Sequence, residues 1–312
     1  MAKDHYVAQT YLRSFSVSEK DDLVNVVRKS NLQRLDAIPV KSICYEIDWS
    51  NNEYFVGNQR VVEEFLKLFE PKWNDCVQEI SKDTYDTTTK YLMSGYLAYL
   101  RACTPTAMRL GASGLSNIVQ DLYEKIEEKE FANPGSKYRD VIETIRKHGG
   151  TKVLIKEAFP KAMGINALIG IQKIFATSPW IIFKNETPVQ FLTSDNPVCL
   201  QYWNANGCDM YCPITPRLAI IIHPLRDTEP REGDSVGSLK PEGVEMLNRL
   251  MVQSAEDKVI FNEHPNIDDF VKEYQDWRVE LQTLKIPVEK GKLIIQQQRP
   301  VKRAVCDVEL YK

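Results

Sequence analysis

Polar side chains of the types used in acid–base, metal and anion chemistry occur at well-separated places in this sequence. His5 could act as a base, an acid or a metal ligand near neutral pH. Glu64 and Glu70 lie on a stretch with helical periodicity. Arg101 lies near the end of a second, strongly apolar helical stretch, and if it faces inward it would suit a phosphate or carboxylate. Asp195 follows an apolar stretch, in the kind of loop that often carries catalytic groups.

Each of these side chains also has a purely structural interpretation. Residues 5–15 are rich in aromatic residues that could anchor the terminus in the core, with His5 merely hydrogen-bonded there. Residues 194–197, Ser-Asp-Asn-Pro, are also the residue types that build a tight turn. Glutamates on an amphipathic helix usually face water, and Arg101 could pair with a buried carboxylate or reach solvent at a helix end. The residue types alone leave these alternatives open.

The sequence contains none of the standard catalytic signatures. It has no phosphate-binding glycine loop, no Gly-x-Ser-x-Gly elbow, no His-Glu-x-x-His and no Cys-x-x-Cys pair. Cys208 and Cys212 lie four residues apart with His223 beyond them, but a zinc site needs a fourth ligand and the intervening residues resemble a strand. We therefore expect these cysteines to be free thiols.

Composition indicates a globular protein without a special charge pattern. Of the 312 residues, 43% are hydrophobic and 27% are charged, and the net charge is -3. A chain of this length and hydrophobic content can bury a large core without disulfides or structural metals. This balance does not favour a general nucleic-acid coat, although a local basic patch could still bind one. The sequence shows neither an apolar leader nor a run long and apolar enough for a membrane span, so we expect a cytoplasmic protein without disulfides.

Hydrophobic periodicity predicts an α+β fold in one compact domain spanning residues 1–312. Apolar residues recur at steps of three and four across residues 58–177, which predicts a helical central section, broken near Pro71. Residues 179–223 are predicted to be mainly strand, packed with the terminal segments in a mostly antiparallel arrangement.

Individual elements follow from the same patterns. We predict strands at 23–28, 43–49, 189–193, 259–261 and 293–295. We predict further helices at 107–130, 137–147, 151–177, 241–256 and 267–284.

Two segments resemble those of a bacterial family called domain of unknown function 4238. Residues 5–15 resemble the family's opening, His-Tyr-Val-Pro-x-x-Tyr-Leu-x-x-Phe, except that Ala8 replaces the proline, and residues 191–198 match its Phe-x-Thr-Ser-Asp-x-Pro-Val segment at every position. Arg101, followed by Thr104-Pro105, and Asn248 resemble further family features. The resemblance extends from His5 to about residue 261.

The resemblance implies a shared polar site but no particular reaction. Our first hypothesis is a phosphate-ester hydrolase, nuclease-like, that acts on a nucleic acid or nucleotide in bacterial defence or toxin biology. His5 would be the acid or base, Asp195 with Glu64 or Glu70 would hold water or a divalent metal such as Mg or Mn, and Arg101 would steady the phosphate and keep Asp195 ionised. On this view His5→Ala and Asp195→Ala would abolish activity but change stability by less than about 2 kcal/mol.

Two other hypotheses use the same residues without catalysis. One is a binding module that senses a ligand or a protein through the same polar pocket. The other is a scaffold in which these residues form a buried hydrogen-bonded network. The hypotheses differ in whether His5, Asp195 and a glutamate converge around a cleft at metal-ligand distances.

Overall fold

A computed structural model describes residues 2–17, 22–204, 207–224, 233–288 and 291–303. Helices and strands are numbered separately along the chain. The helices are α1 Gln9–Arg13, α2 Val61–Phe69, α3 Trp73–Ser81, α4 Thr87–Ala102, α5 Pro105–Ala132, α6 Arg139–Lys147, α7 Ala158–Thr177, α8 Pro241–Ser254 and α9 Ile267–Glu273. The strands are β1 Lys3–His5, β2 Leu23–Arg28, β3 Arg34–Pro39, β4 Tyr45–Ile47, β5 Trp180–Lys184, β6 Thr193–Ser194, β7 Cys199–Asn204, β8 Gly207–Thr215, β9 Leu218–Ile222, β10 Ser235–Ser238, β11 Lys258–Phe261, β12 Trp277–Val288 and β13 Gly291–Lys302.

The strands form two larger sheets and two antiparallel pairs. One sheet has the order β10-β5-β9-β8-β7 and the other β3-β2-β11-β6, while β1 pairs with β4 and β12 with β13. Within the described part of the chain, only the β10–β5 pair is parallel. The fold is therefore α+β, with mostly antiparallel sheets flanking a helical middle.

Local sequence explains where several helices begin and end. Pro71 lies in a short 3-10 turn, Glu70–Lys72, between α2 and α3, which confirms the predicted break. The Asp86 side chain accepts a hydrogen bond from the Thr89 N–H and caps α4, as expected of a helix-initiating aspartate. Thr104 caps α5 in the same way, and Pro105 occupies the first turn of that helix.

Several of the element predictions are wrong in part, and the predicted strand 43–49 is reduced to Tyr45–Ile47. Residues 151–156 are not helical, and α7 begins only at Ala158. The predicted strand 189–193 shrinks to Thr193–Ser194, because the segment before it bonds to side chains instead of a neighbouring strand. The predicted helix 267–284 ends at Glu273, and β12 then pairs with β13 over its whole length.

Two buried apolar clusters stabilise the fold. The larger one surrounds α4 and contains the fully buried aromatic residues Tyr11, Trp73 and Tyr96. The second surrounds α8 and contains Phe191 and Phe261. Burial of such side chains is the main favourable contribution to stability. Among the described residues no helix combines the length and apolar character that crossing a membrane requires.

Cysteines in the described residues carry free thiols, and Cys44, Cys76, Cys103, Cys199 and Cys212 are buried while Cys208 is half-buried. The seventh, Cys306, lies outside the described residues. Burial raises the pKa of the Cys103 and Cys199 thiols to about 12, so both are protonated at neutral pH.

Candidate functional site

Asp195 accepts hydrogen bonds from the backbone between the end of α8 and the start of β11. Its side chain is nearly fully buried, and its Oδ1 accepts a hydrogen bond from the Glu256 N–H at 2.9 Å. Its Oδ2 accepts two more, from the Asp257 N–H at 3.0 Å and the Lys258 N–H at 2.9 Å. Burial raises the pKa of Asp195, while Lys258 and the backbone donors act in the opposite direction. The neighbouring cation is Lys258, at 4.0 Å, whereas Arg101 contacts Gln298.

Asn196, in the same Thr-Ser-Asp-Asn-Pro-Val segment, and Asn248 on α8 also bind backbone groups through their side chains. Asn196 donates its side-chain N–H to the Ser254 carbonyl at 2.9 Å. On α8, Asn248 accepts from the Leu192 N–H at 2.9 Å and donates to the Gln190 carbonyl at 2.8 Å. These bonds satisfy buried backbone groups that lie outside any regular ladder. The segment 190–196 is thus bound to α8 by side-chain amides, and to residues 256–258 after α8 by the Asp195 carboxylate.

The N-terminal segment is anchored in the core by tyrosines. The Tyr11 hydroxyl donates to the Pro213 carbonyl at 2.7 Å and lies 2.6 Å from the Thr193 hydroxyl, which must then be the donor. Tyr96 accepts from the Ala8 N–H at 3.1 Å, and Tyr99 donates to the His5 carbonyl at 3.1 Å. The aromatic opening is therefore built into the fold.

His5 itself ends β1, where it pairs with Tyr45 of β4. Its ring packs against the Tyr45 ring at 5.7 Å between centroids, and Gln9 lies 3.5 Å from Nδ1. Burial lowers the pKa of His5, which favours the neutral imidazole at pH 7. Its Nε2 is buried without a hydrogen bond of normal geometry to any described residue.

The two glutamates have partners of their own. Glu64 is exposed and forms an ion pair with Lys67 at 2.8 Å, one helical turn away. Glu70 accepts a hydrogen bond from the Thr10 hydroxyl at 2.9 Å and lines a surface groove beside Arg13. No cluster of three or more His, Cys, Asp or Glu side chains suited to a metal ion occurs in the described ranges. The proposed metal ligands Asp195 and Glu70 thus contact different partners.

Arg101 lines a cavity of about 520 Å³ between the helices and the β12–β13 hairpin. Its volume falls in the usual range for small-molecule sites. Apolar residues and glycines make up most of its lining, with the polar side chains Arg101, Gln296 and Gln298. The full lining is Arg101, Ala102, Ala107, Leu110, Gly111, Gly114, Leu115, Ile118, Pro160, Gly164, Ile171, Ile174, Phe175, Leu200, Met210, Leu281, Gln296 and Gln298.

Close helix packing shapes the inner wall of this cavity. A Cβ atom at Gly164 of α7 would lie 2.6 Å from the Ala102 carbonyl oxygen of α4, so only glycine allows the two backbones this approach. The 28-residue helix α5 forms a second wall, and its Ile118 is partly exposed at the cavity.

The hairpin wall is attached to the body by charged groups. Arg109 of α5 binds Glu256 at 2.8 Å, Glu280 at 3.4 Å and the Val279 carbonyl at 2.8 Å. Lys29 is buried and donates to the carbonyl of Trp277, where the hairpin begins, and to two carbonyls near the end of α8. Its burial lowers its pKa to about 8.

The cavity's polar end is the contact between Arg101 and Gln298, whose Oε1 accepts from the guanidinium. Behind this pair lies a second cavity of about 10 Å³, also lined by Thr106, Asn196 and Val198. The structure therefore brings Arg101 and the Thr-Ser-Asp-Asn-Pro-Val segment to one small region. That segment contributes Asn196 and Val198 there, whereas Asp195 binds the start of β11.

Sequence reasoning missed Gln296 and Gln298, because the hairpin that carries them was predicted as a helix and one short strand. The available signal was the alternation of Val279, Leu281 and Thr283 with polar residues after Trp277, which indicates a strand.

Comparison with known proteins places this architecture in a family. The sequence profile of the family described as "Protein of unknown function (DUF4238)" matches residues 3–265, which leaves both strands of the hairpin outside the matched region. No curated protein and no solved structure matches the chain. Since the match covers well over half of the sequence, the chain belongs to the DUF4238 family.

Proposed function

We propose that this protein is a binding module for a small apolar molecule with one polar end. The observation that supports this function is the cavity of about 520 Å³, whose apolar lining ends at Arg101. Concave, mostly apolar cavities with a few polar groups are the usual form of small-molecule sites. This is the ligand-sensing alternative from the sequence, moved from His5 and Asp195 to the surroundings of Arg101.

The chemistry of the lining favours a ligand that is apolar along most of its length. Helices α5 and α7 contribute Leu110, Leu115 and Ile174. Transfer of apolar surface from water into such a lining contributes about 25 cal/mol for each Å² buried. The polar groups at one end, Arg101 with the two glutamines, would then fix the orientation of the ligand.

A fluorescent dye that is neutral and apolar, N-phenylnaphthylamine, tests this function. We expect the dye to bind the protein, and Leu115→Trp to weaken binding by about tenfold or more, because the indole fills part of the cavity. Leu115 is partly exposed, so the larger ring can be accommodated without disturbing the core. The matched control is Leu122→Trp, at an exposed position two turns farther along the same helix and outside the described lining.

The outcome is read from the two variants together. Equal dye binding by Leu115→Trp, Leu122→Trp and the parent would contradict a ligand site in this cavity. Thermal melts of all three proteins show whether each variant is folded at the temperature of the titration.

Phosphate-ester hydrolysis, with a role in bacterial defence or toxin biology, stays a prediction. The arrangement that would support it is a set of His5, Asp195 and a glutamate around one metal. Asp195 is instead hydrogen-bonded to three backbone N–H groups, and Glu64 to Lys67. Incubation with Mn²⁺ and a panel of RNAs, DNAs and nucleotides would detect such an activity directly.

A further inference from the structure

The cavity opens to the surface between α5 and α7. Ile118 of α5 and Ile174 of α7 both line the cavity, and they are 38% and 51% exposed. Two turns earlier on α5 the helices approach closely, because a Cβ atom at Gly111 would lie 2.7 Å from the Cβ of Pro160. Ile118 and Ile174 thus border the mouth of the cavity, through which a ligand enters.

The face of α5 that lines the cavity continues beyond the mouth. Leu115 and Ile118 belong to the lining. Leu122 and Ile126 follow Ile118 at steps of four residues, so they lie on the same face of the helix. Both are well exposed, Leu122 by 53% and Ile126 by 63%. One apolar stripe therefore runs along α5 from the cavity onto the surface, although such a stripe normally faces a core.

Charged residues along this part of α5 differ between its two faces. Lys125 and Lys129 are spaced from the isoleucine at the mouth by seven and eleven residues, so they lie on the apolar face. Lys125 is 54% exposed and forms an ion pair with Asp121 at 2.9 Å. Glu127 lies on the opposite face, where it binds Arg146 of α6 at 2.5 Å. The exposed apolar stripe is thus flanked by cations.

A lipid surface fits this combination better than a protein partner does. Helices that lie on a membrane bury an apolar face at the head-group boundary and carry lysines beside it. Anionic head groups attract such lysines. An apolar ligand also concentrates in lipid rather than in water, so a mouth at the lipid would give the cavity access to it. A second copy of this chain would instead bring two lysine-bearing faces together.

We propose that α5 docks on an anionic lipid surface and so places the mouth of the cavity at the lipid. The docking face consists of Ile118, Leu122, Ile126, Lys125 and Lys129. Leu122 and Ile126 enter the boundary with the acyl chains, and the two lysines contact the head groups. The attachment is peripheral, and its role in supplying the cavity rests on the proposed binding function.

Flotation of the purified protein with lipid vesicles tests the docking without any ligand. We expect the parent to bind vesicles of phosphatidylcholine with phosphatidylglycerol at least about fivefold more tightly than vesicles of phosphatidylcholine alone. Leu122→Glu should weaken binding to the anionic vesicles by about tenfold or more, because a carboxylate would enter the apolar boundary. The matched control is Val141→Glu on α6, which is 56% exposed and lies outside the docking face.

Lys125→Gln tests the charge of the docking face. We expect it to lower the affinity for anionic vesicles by about threefold or more, because one attraction to the head groups is lost. Lys147→Gln on α6 is the matched control, since Lys147 also pairs with an acid four residues earlier, Glu143 at 2.9 Å. The control should bind anionic vesicles as the parent does. Thermal melts of all variants show whether each is folded at the temperature of the assay.

Failure of this inference and failure of the binding function look different. A parent that does not float with anionic vesicles, or equal losses in Leu122→Glu and Val141→Glu, would overturn the docking while leaving the cavity site intact. A parent that is dimeric in solution, with Leu122→Glu monomeric, would show that a second copy covers the face, and the lipid assignment would be wrong. Dye binding that ignores Leu115→Trp removes the cavity site, whatever the vesicles show.

Discussion

Replacement of Asp195 by alanine should lower the free energy of unfolding by more than its position in a loop suggests. Alanine removes the acceptor for three backbone N–H groups, those of Glu256, Asp257 and Lys258. Hydrogen bonds to a charged group contribute about 1.5–3 kcal/mol each. Full addition overcounts, because water can reach these partly buried amides once the carboxylate is gone. The loss of one partner from a buried charged network typically costs about 3–5 kcal/mol, and we expect a decrease of that size.

This value contradicts the expectation from sequence of less than about 2 kcal/mol. Urea unfolding followed by tryptophan fluorescence measures it, with the denaturant slope checked for two-state behaviour. Glu64→Ala is the control, since its exposed ion pair with Lys67 contributes less than about 1 kcal/mol. Asp195→Asn should also lose stability, because its amide N–H₂ would face a backbone N–H donor. A change in Asp195→Ala as small as that in Glu64→Ala would refute the structural role assigned to this carboxylate.

Two further predictions concern the walls of the cavity. Gly164→Ala should destabilise the protein by about 1–3 kcal/mol, since its Cβ would lie 2.6 Å from a backbone oxygen of α4. The control is Gly170→Ala on the same helix, whose Cβ would meet no atom within 4 Å. We expect that control to be neutral or stabilising by up to about 1 kcal/mol. Thermal melts of both variants test this, and equal shifts would contradict the close approach. Burial lowers the pKa of Lys29 to about 8 in the folded state. From about pH 8 upward the unfolded chain therefore binds this proton more tightly than the folded one does. As pH rises through this range, the parent should gain stability relative to Lys29→Met. Urea titrations of both proteins at several pH values measure the difference, and a constant difference would refute the shift.

Local patterns predicted the helical middle well because its determinants are local. The stripe around Val62, Leu66 and Phe69 lies on one face of α2, and Pro71 cannot continue that helix. Residues 151–156 were wrongly added to α7. The segment 267–284 was assigned to one helix, although the pattern changes period at about Trp277. The strand there is stabilised by pairing with residues 291–302. A prediction from the local hydrophobic pattern does not take that pairing into account.

The location of the site was harder to predict for a related reason. Arg101 was identified from its type and position, and it does line a cavity. The other lining residues come from helices α5 and α7 and from the hairpin, and most are apolar or glycine. Such residues look like ordinary core in a sequence, because only the three-dimensional packing leaves a space between them. Whether the chain forms a single domain stays a prediction, which limited proteolysis would test.

Several polar residues of the motifs shared with the family join segments that are distant in the sequence. Asp195, Asn196 and Asn248 each bind backbone groups of a segment distant in the sequence, and Tyr11 binds the Pro213 carbonyl. A buried polar side chain that satisfies a distant backbone is as demanding in type and position as a catalytic one, because a substitute would leave an unpaired group. Specific polar motifs can therefore characterise a family through its architecture. In this chain they hold α8, β6 and β11 together beside the cavity that Arg101 and the hairpin line.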